Sequence, residues 1–315
     1  MIPAPPPHRL GIGLAALGRP AYINLGRTDV LPVHRSTEVM RERTRAVLDA
    51  AHAAGLRWID AARSYGSAEH FLADWLRTSG HEDVVVSSKW GYAYVADWQV
   101  ETEVHEVKEH SLERLRSQWA QTRELLDDRI DLYQVHSLTT DSPLFEDVAL
   151  QRELARVRDA GVALGLSTSG AAQGEAIERA WELEVGGRQL FSSVQATWNS
   201  LEPSAGRVLA EVRTGGWRVL VKESLANGRL AVQPPEPVAG IARRRGTAPD
   251  AVALAHALHQ PWADVVLIGP ASVDQLRSNL AGLDLELTAD ELDELATAAR
   301  DPATYWGERA ALAWQ

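Results

Sequence analysis

Four side chains with acid–base chemistry fall at intervals that suggest a single site. Asp60 ends a short apolar run, Tyr65 follows five residues later, Lys89 ends the next apolar run, and His136 ends a further one. A tyrosine has an ordinary pKa near 10, so it exchanges protons at neutral pH only when a nearby cation favours its phenolate. A lysine held by an aspartate supplies such a cation. The four residue types therefore predict a catalytic proton donor and its supporting groups.

Each of these residues also has an ordinary structural explanation. Asp60 could cap a helix that starts near Ser67, and Tyr65 could pack in the core. Lys89 could be a solvated surface lysine, and His136 a hydrogen-bonded core histidine. The sequence distinguishes these alternatives only through the fold, because a shared site requires that the four side chains meet.

Apolar runs alternate with amphipathic helical stretches along the whole chain. Strands are predicted over eight segments: 9–14, 56–59, 84–89, 130–136, 162–166, 191–196, 218–221 and 265–268. Helices are predicted between them, including 104–126 and 171–185. Eight such units over 315 residues predict a (β/α)8 TIM barrel of the α/β class, as a single domain over residues 1–315. Active sites of these barrels lie at the carboxyl ends of the strands, where Asp60, Lys89 and His136 are expected to meet.

Composition excludes several classes of function. The net charge is −11 and there are no cysteines, so disulfides and thiolate chemistry are ruled out and attraction to nucleic acid or anionic membranes is not expected. No apolar run approaches the length of about 20 residues that spans a bilayer. The proline-rich start has no apolar core of a signal peptide, so we expect a cytoplasmic protein.

The spaced set Asp60, Tyr65, Lys89 and His136 resembles the aldo-keto reductase family, and the likeness extends over nearly the full chain. The resemblance implies hydride transfer from a nicotinamide cofactor to the carbonyl of a small molecule. It implies that Tyr65 is the proton donor, that Lys89 paired with Asp60 lowers the pKa of that tyrosine, and that His136 orients the carbonyl. The retained histidine favours reduction of C=O over C=C.

The resemblance also implies a set of cofactor-binding residues. They are Ser167, Thr168, Gln195, Trp198, Ser224, Leu225, Asn227, Gly228, Arg229, Ser272, Gln275 and Asn279. Trp198 stands where the family more often has tyrosine, Thr168 where it has asparagine, and the proline usual after Ser224 is missing.

The family usually prefers NADPH, whose 2′-phosphate needs a local cation. The stretch Gly269–Ser272 contains none. We therefore expect NADPH with a narrow margin over NADH, held by Arg277 or Arg229 together with Ser272.

Aromatic residues dominate the expected substrate side of the pocket. The loop after the third strand contains Trp90, Tyr92, Tyr94 and Trp98, and the tail contains Tyr305, Trp306 and Trp314; at least some of these are expected to face the mouth. These residues predict an aromatic-walled pocket for apolar or aromatic aldehydes and ketones, although tryptophans also commonly pack between helices.

Three alternatives compete with this interpretation. Gly11–Ala16 matches the Gly-rich signature of a dinucleotide-binding Rossmann fold, but no clear helix follows it and no acidic strand end lies about 20 residues on. A metal-dependent barrel hydrolase would need more than the one histidine that the strand ends offer, so no metal is expected there. A third possibility is a regulatory subunit or redox sensor that binds the cofactor without turnover.

Overall fold

The structure, a computed structural model, describes residues 9–315 of the chain. Within these residues, eight parallel strands form a closed barrel in which each strand pairs with its sequence neighbours and the first pairs with the last. The predicted (β/α)8 barrel is confirmed. The absence of a signal peptide was predicted from the proline-rich start of the chain. Residues 1–8 lie outside the described residues, so that prediction is not tested.

The barrel strands match the predicted apolar runs to within a few residues. They are β1 (Leu10–Gly13), β2 (Trp58–Asp60), β3 (Val85–Trp90), β4 (Leu132–Leu138), β5 (Ala163–Thr168), β6 (Ser193–Thr197), β7 (Arg218–Lys222) and β8 (Val265–Ile268). Most of their residues are buried, as expected when helices cover the outside of a parallel sheet.

Twelve α-helices are found among residues 9–315. They are α1 (Thr37–Ala53), α2 (Ala68–Ser79), α3 (Leu112–Leu126), α4 (Val148–Asp159), α5 (Gln173–Trp181), α6 (Gly206–Thr214), α7 (Arg229–Val232), α8 (Glu236–Arg245), α9 (Pro249–His259), α10 (Val273–Leu280), α11 (Ala289–Ala296) and α12 (Pro302–Ala310). Side-chain caps fix several starts: the Ser36 hydroxyl accepts from the Val39 backbone amide, and Thr288 with Glu291 forms a capping box.

Two predicted helices are shorter than expected. The helix predicted over 104–126 begins only at Leu112, because residues Glu106–Lys108 pair with Tyr92–Tyr94 as an antiparallel hairpin beside the barrel mouth. The helix predicted over 171–185 ends at Trp181. Gly186 and Gly187 have φ of 65° and 72°, which permits a tight turn and a second small hairpin there.

The glycines of β1 serve packing inside the barrel. A Cβ on Gly11 would lie 3.0 Å from the Trp58 Cβ and 2.9 Å from the Leu267 side chain, so only glycine leaves room for these large neighbours. The chain then runs through a long loop before α1 begins at Thr37. The glycines therefore do not open a helix, and the Rossmann alternative is excluded.

No helix of residues 9–315 combines the length and the apolar character that crossing a bilayer would require.

Candidate active site

A cavity of about 540 Å³ opens at the carboxyl ends of the barrel strands. Asp60, Tyr65 and His136 line one end, and Gln275 and Asn279 line the other. Its size lies within the range of roughly 300 to 1,000 Å³ that is typical of small-molecule and cofactor sites.

Asp60 is a buried hydrogen-bond acceptor in the barrel interior. Its carboxylate accepts from the Lys89 ammonium, from the Ser87 hydroxyl at 2.8 Å and from the Gln195 amide at 3.0 Å. Gln134 donates to the same oxygen at 3.2 Å. The alternative that Asp60 caps the helix near Ser67 is therefore wrong: α2 begins after Ser67, and the Asp60 side chain points into this network.

Lys89 and His136 both lie close to the Tyr65 ring. The Lys89 Nζ is 4.8 Å from the ring centroid, and the His136 ring meets it edge-on at a centroid distance of 5.5 Å. The His136 Nδ1 lies 3.3 Å from the Ser64 hydroxyl. The predicted set of Asp60, Tyr65, Lys89 and His136 is thus brought together at one mouth.

Burial is the main influence on the pKa of Tyr65. Burial and the Asp60 carboxylate raise this pKa well above its usual range, and the Arg19 guanidinium acts in the opposite direction. The lowering of this pKa by Lys89, predicted from the sequence, stays a prediction. Tyr65 is consequently a protonated phenol at neutral pH.

Burial also sets the protonation of the two neighbours. It lowers the pKa of His136 well below its usual value, and Lys89 lowers it further. Burial lowers the pKa of Lys89, while Asp60 raises it through charge and a hydrogen bond. His136 is therefore a neutral imidazole at pH 7, able to donate one hydrogen bond and to accept another.

Arg19 is a site residue that the sequence analysis missed. Its guanidinium stacks over Tyr65, Tyr22 and Trp314 at 5.2, 4.5 and 4.7 Å from the ring centroids. It also donates to the Glu106 carboxylate at 2.8 Å, and only 1% of the residue is exposed. A single arginine in an irregular loop gives no sequence signal, since nothing local shows that the loop folds back over the mouth.

A second charged cluster lines the cavity near the end of β7. The Glu223 carboxylate accepts a forked pair of hydrogen bonds from Arg309, and the Lys222 Nζ donates to Thr197 at 2.7 Å. Burial acts to raise the pKa of Glu223, but Arg309 and Lys222 together lower it to about 2. Burial lowers the pKa of Lys222 to about 8. Sequence reasoning did not assign Lys222 or Glu223 to the site. The signal that could have identified them is two adjacent opposite charges at the end of a strand.

Several residues predicted for cofactor binding do line the cavity. They are Gln195, Ser224, Leu225, Asn227, Gly228, Gln275 and Asn279. Asn227 has φ of 56° and Glu223 φ of 52°, so the backbone here is held in the left-handed region that side chains rarely adopt. The buried Oδ1 of Asn227 has no hydrogen-bond partner among the described residues. An unpaired buried acceptor in a cavity wall is suited to a polar ligand such as the amide or ribose of a nicotinamide cofactor.

Other predicted cofactor residues lie away from the cavity wall. Trp198 packs edge-on against Trp262 at a centroid distance of 5.6 Å and is not among the residues that line the cavity, so its position does not support the predicted contact with the cofactor. The Ser167 hydroxyl accepts from the Ser137 backbone amide, and the Thr168 hydroxyl donates to Gln173. Both are buried residues of β5.

The predicted phosphate-binding residues are likewise engaged elsewhere. The Ser272 hydroxyl accepts from the Gln275 amide as the cap of α10. Arg229 pairs with Glu308, and the exposed Arg277 pairs with Asp274. The expectation that Arg277 grips a cofactor phosphate is therefore not supported by its position.

The aromatic wall differs in its members from the predicted one. Trp90 is fully buried in the core, and Trp98 donates to the Arg35 carbonyl and packs on Phe71. These positions correct the expectation that both contact substrate. Tyr92 packs against His136 at 4.9 Å, and Trp306 lies beside Lys222. The aromatic residues that line the cavity beside Tyr65 are Tyr22 and Trp314.

The barrel, with its buried phenol, lysine–aspartate pair and imidazole at the mouth, has the arrangement of a carbonyl oxidoreductase. The family model described as Aldo/keto reductase family matches residues 9–300. The chain belongs to the aldo-keto reductase family, whose members are nicotinamide-dependent oxidoreductases.

Individual relatives are distant. The norsolorinic acid reductase of Emericella nidulans is 25% identical over 282 residues, covering 82% of this chain and 72% of the relative. An aldo-keto reductase of Strobilurus tenacellus is 26% identical, covering 78% of each chain. Among solved structures, the glycerol dehydrogenase of Gluconobacter oxydans superimposes with a TM-score of 0.68 at 19% identity, covering 92% of this chain and 90% of the other. At that identity the likeness supports the fold alone.

Proposed function

We propose that this protein reduces an aldehyde or ketone to the alcohol with NADPH, and that Tyr65 donates the proton. The observation that supports this most strongly is that the Tyr65 ring lies in the cavity wall close to both the Lys89 ammonium and the His136 ring. A bound nicotinamide cofactor in its reduced form supplies the hydride.

Tyr65 acts as the acid because its raised pKa keeps the proton on the phenol until a carbonyl oxygen becomes basic. Loss of the proton leaves a phenolate in a buried site. Lys89 and Arg19, whose charged groups lie within about 5 Å of the ring, stabilise that phenolate. Asp60 holds Lys89 in place and favours its charged form.

His136 positions the substrate carbonyl. Its lowered pKa makes it a neutral hydrogen-bond donor, which directs a carbonyl oxygen without adding a charge that would compete with Lys89. Packing against Tyr65 and Tyr92 fixes the orientation of the imidazole. A fixed donor beside the acid gives the carbonyl one reactive geometry.

The cofactor would be held by the polar wall residues that run from Gln195 through Asn227 to Gln275 and Asn279. The stretch Gly269–Ser272 has no cation for a 2′-phosphate. We therefore propose only a narrow preference for NADPH over NADH. The preference is assigned to NADPH because most members of the family use it.

The substrate class proposed is an uncharged apolar or aromatic carbonyl compound. Charges near Tyr65 are internally paired, with Arg19 on Glu106 and Glu223 on Arg309. A phosphate or carboxylate on the substrate would have to displace one of these buried pairs, which is costly. Tyr22 and Trp314 offer ring surfaces instead.

A spectrophotometric assay at the nicotinamide absorbance, over a panel of aldehydes and ketones, tests the proposal. Turnover that persists in EDTA is expected. Turnover that requires an added metal would support a metal-dependent enzyme, and tight cofactor binding with no turnover on any carbonyl would support a regulatory subunit.

A further inference from the structure

Two histidines and an aspartate meet at the amino-terminal end of the barrel, away from the active-site mouth. His52 lies in the last turn of α1, His81 follows α2, and Asp83 precedes β3. The potential ligand atoms of these three side chains all lie within 4.8 Å of one another. Among residues 9–315, no other group of three or more His, Cys, Asp or Glu side chains meets this criterion. We propose that His52, His81 and Asp83 bind a divalent transition-metal ion of the Zn²⁺ type.

The type of ligand supports this class of ion. Two imidazoles and one carboxylate are nitrogen and oxygen donors that suit Zn²⁺, Co²⁺, Ni²⁺ or Cu²⁺, whereas Mg²⁺ and Ca²⁺ prefer oxygen alone. The His52 Nε2 already lies 2.9 Å from the Asp83 Oδ1. In a tetrahedral site with metal–ligand distances of about 2.1 Å, neighbouring ligand atoms are roughly 3.4 Å apart, so shifts of up to about 1.4 Å together with rotation of one ring assemble the site.

Hydrogen bonds hold the backbone at His52 and His81 and the side chain of Asp83. The αL residue Gly80 ends α2 and turns the chain, and Arg129 donates to the His81 carbonyl at 2.8 Å. Arg57 donates to the His52 carbonyl at 2.7 Å and to the Asp83 Oδ2 at 2.6 Å. Arg57 thus orients the carboxylate while leaving Oδ1 toward the histidines, as partners of a metal-ligating carboxylate commonly do.

The two imidazole rings stack at a centroid distance of 3.6 Å with an interplanar angle of 18°. Parallel rings direct their nitrogen lone pairs alongside one another, so binding requires one ring to turn. The torsion about the Cβ–Cγ bond of histidine is broad and its rotation costs little. All three side chains reach solvent, and 55% of the Asp83 side chain is exposed, so an ion can enter without opening the fold.

Zn²⁺ titration by calorimetry, on protein without a histidine tag, tests the site. The expected result is one ion per chain in the wild type, and at least tenfold weaker binding in His81→Ala and in Asp83→Asn. His70→Ala is the matched control, because His70 is an exposed histidine on α2 outside the cluster; its binding is expected to equal that of the wild type. No binding by the wild type in the micromolar range, or equal binding by all four proteins, would overturn the proposal.

Two further readouts separate a bound ion from a structural effect of the variants. Co²⁺ should give the visible absorption bands of a tetrahedral complex in the wild type and in His70→Ala but not in His81→Ala. Zn²⁺ at about 100 times its dissociation constant should raise the Tm of the wild type by on the order of 4 °C and leave that of His81→Ala unchanged. Absence of both effects would overturn the site even if the calorimeter recorded heat.

Discussion

The Arg19 guanidinium and the Tyr65 phenol are stacked, with the Arg19 Cζ 5.2 Å from the ring centroid. The Glu106 carboxylate caps the other side of the arginine at 2.8 Å. Tyr65 thus faces two cations, each paired with its own acid: Lys89 with Asp60, and Arg19 with Glu106. The stability of the Tyr65 phenolate therefore depends on both pairs.

Removing the cation and removing the acid of the Arg19–Glu106 pair should shift the pH dependence of alcohol oxidation in opposite directions. Alcohol oxidation, the reverse reaction, requires the Tyr65 phenolate, so its rate rises with pH through the pKa of Tyr65. Arg19→Gln removes a stabilising cation and should shift that rise to higher pH, by about one unit or more. Glu106→Gln removes the carboxylate that pairs with Arg19, so the arginine stabilises the phenolate more strongly and the rate of alcohol oxidation should rise at lower pH. Parallel shifts in both variants would contradict this role of Arg19.

The buried Glu223–Arg309 pair should stabilise the fold in a pH-dependent way. The pKa of Glu223 is about 2 in the fold and near 4.3 when unfolded, so its contribution is complete above about pH 4.5 and is lost as the pH falls toward 2. We expect Glu223→Gln to lower the free energy of unfolding at pH 7 by on the order of 3 kcal/mol, and to lose less stability than the wild type on acidification. Urea unfolding between pH 7 and pH 3 measures both effects.

Glu308→Gln is the control for that experiment. Glu308 pairs with Arg229 and Arg300, but its side chain is 42% exposed, so its loss should cost less than about 1 kcal/mol. Equal losses of unfolding free energy in Glu223→Gln and Glu308→Gln would contradict a larger contribution from the buried Glu223–Arg309 pair.

Cofactor discrimination should be weak and independent of Arg277. The kcat/KM values for NADPH and NADH are expected to lie within about tenfold of each other, because Gly269–Ser272 has no cation to recognise a 2′-phosphate. Arg277→Ala should leave the ratio unchanged, since the side chain is 73% exposed and paired with Asp274. A ratio above a hundredfold in the wild type, or a marked change in the variant, would contradict this.

Trp314 should contribute to substrate binding. Its ring lies between His105, stacked at 4.1 Å, and Arg19, and it lines the cavity beside Tyr65. Trp314→Ala should raise KM for aryl aldehydes roughly tenfold, since a lost ring contact worth about 1.4 kcal/mol corresponds to a factor of about ten. Trp98→Phe is the control, because Trp98 packs on Phe71 away from the cavity. A panel in which phosphorylated aldoses outrun aryl aldehydes would refute the substrate class.

The fold was predictable because its signals are local and repeated. Apolar strands alternating with capped helices, such as the Thr288–Glu291 capping box, specify each unit on its own. The hairpin Tyr92–Tyr94 with Glu106–Lys108 was missed because its pairing joins residues across a long loop, and because Val107 fits a helix face as well as a strand.

The candidate site was predictable only in part, for a similar reason. Asp60, Lys89 and His136 sit on or at the end of strands, so barrel topology alone brings them together. Arg19, Tyr22 and Trp314 come from a loop and a tail whose positions depend on long-range contacts, such as the hydrogen bonds between Tyr22 and Gln315. Trp90 was assigned to the substrate pocket from its place after the third strand, and Trp198 to the cofactor from the family resemblance. Neither signal distinguishes a cavity wall from the core.

The Tyr65→Phe variant tests the central claim most directly. Removing only the phenol oxygen should leave the fold and cofactor binding intact, as measured by Tm and by quenching of tryptophan fluorescence on cofactor addition. Carbonyl reduction should fall by roughly 10² to 10⁴ in kcat, the usual contribution of a general acid. Near-wild-type turnover by a folded, cofactor-binding Tyr65→Phe protein would contradict the assignment of Tyr65 as the proton donor.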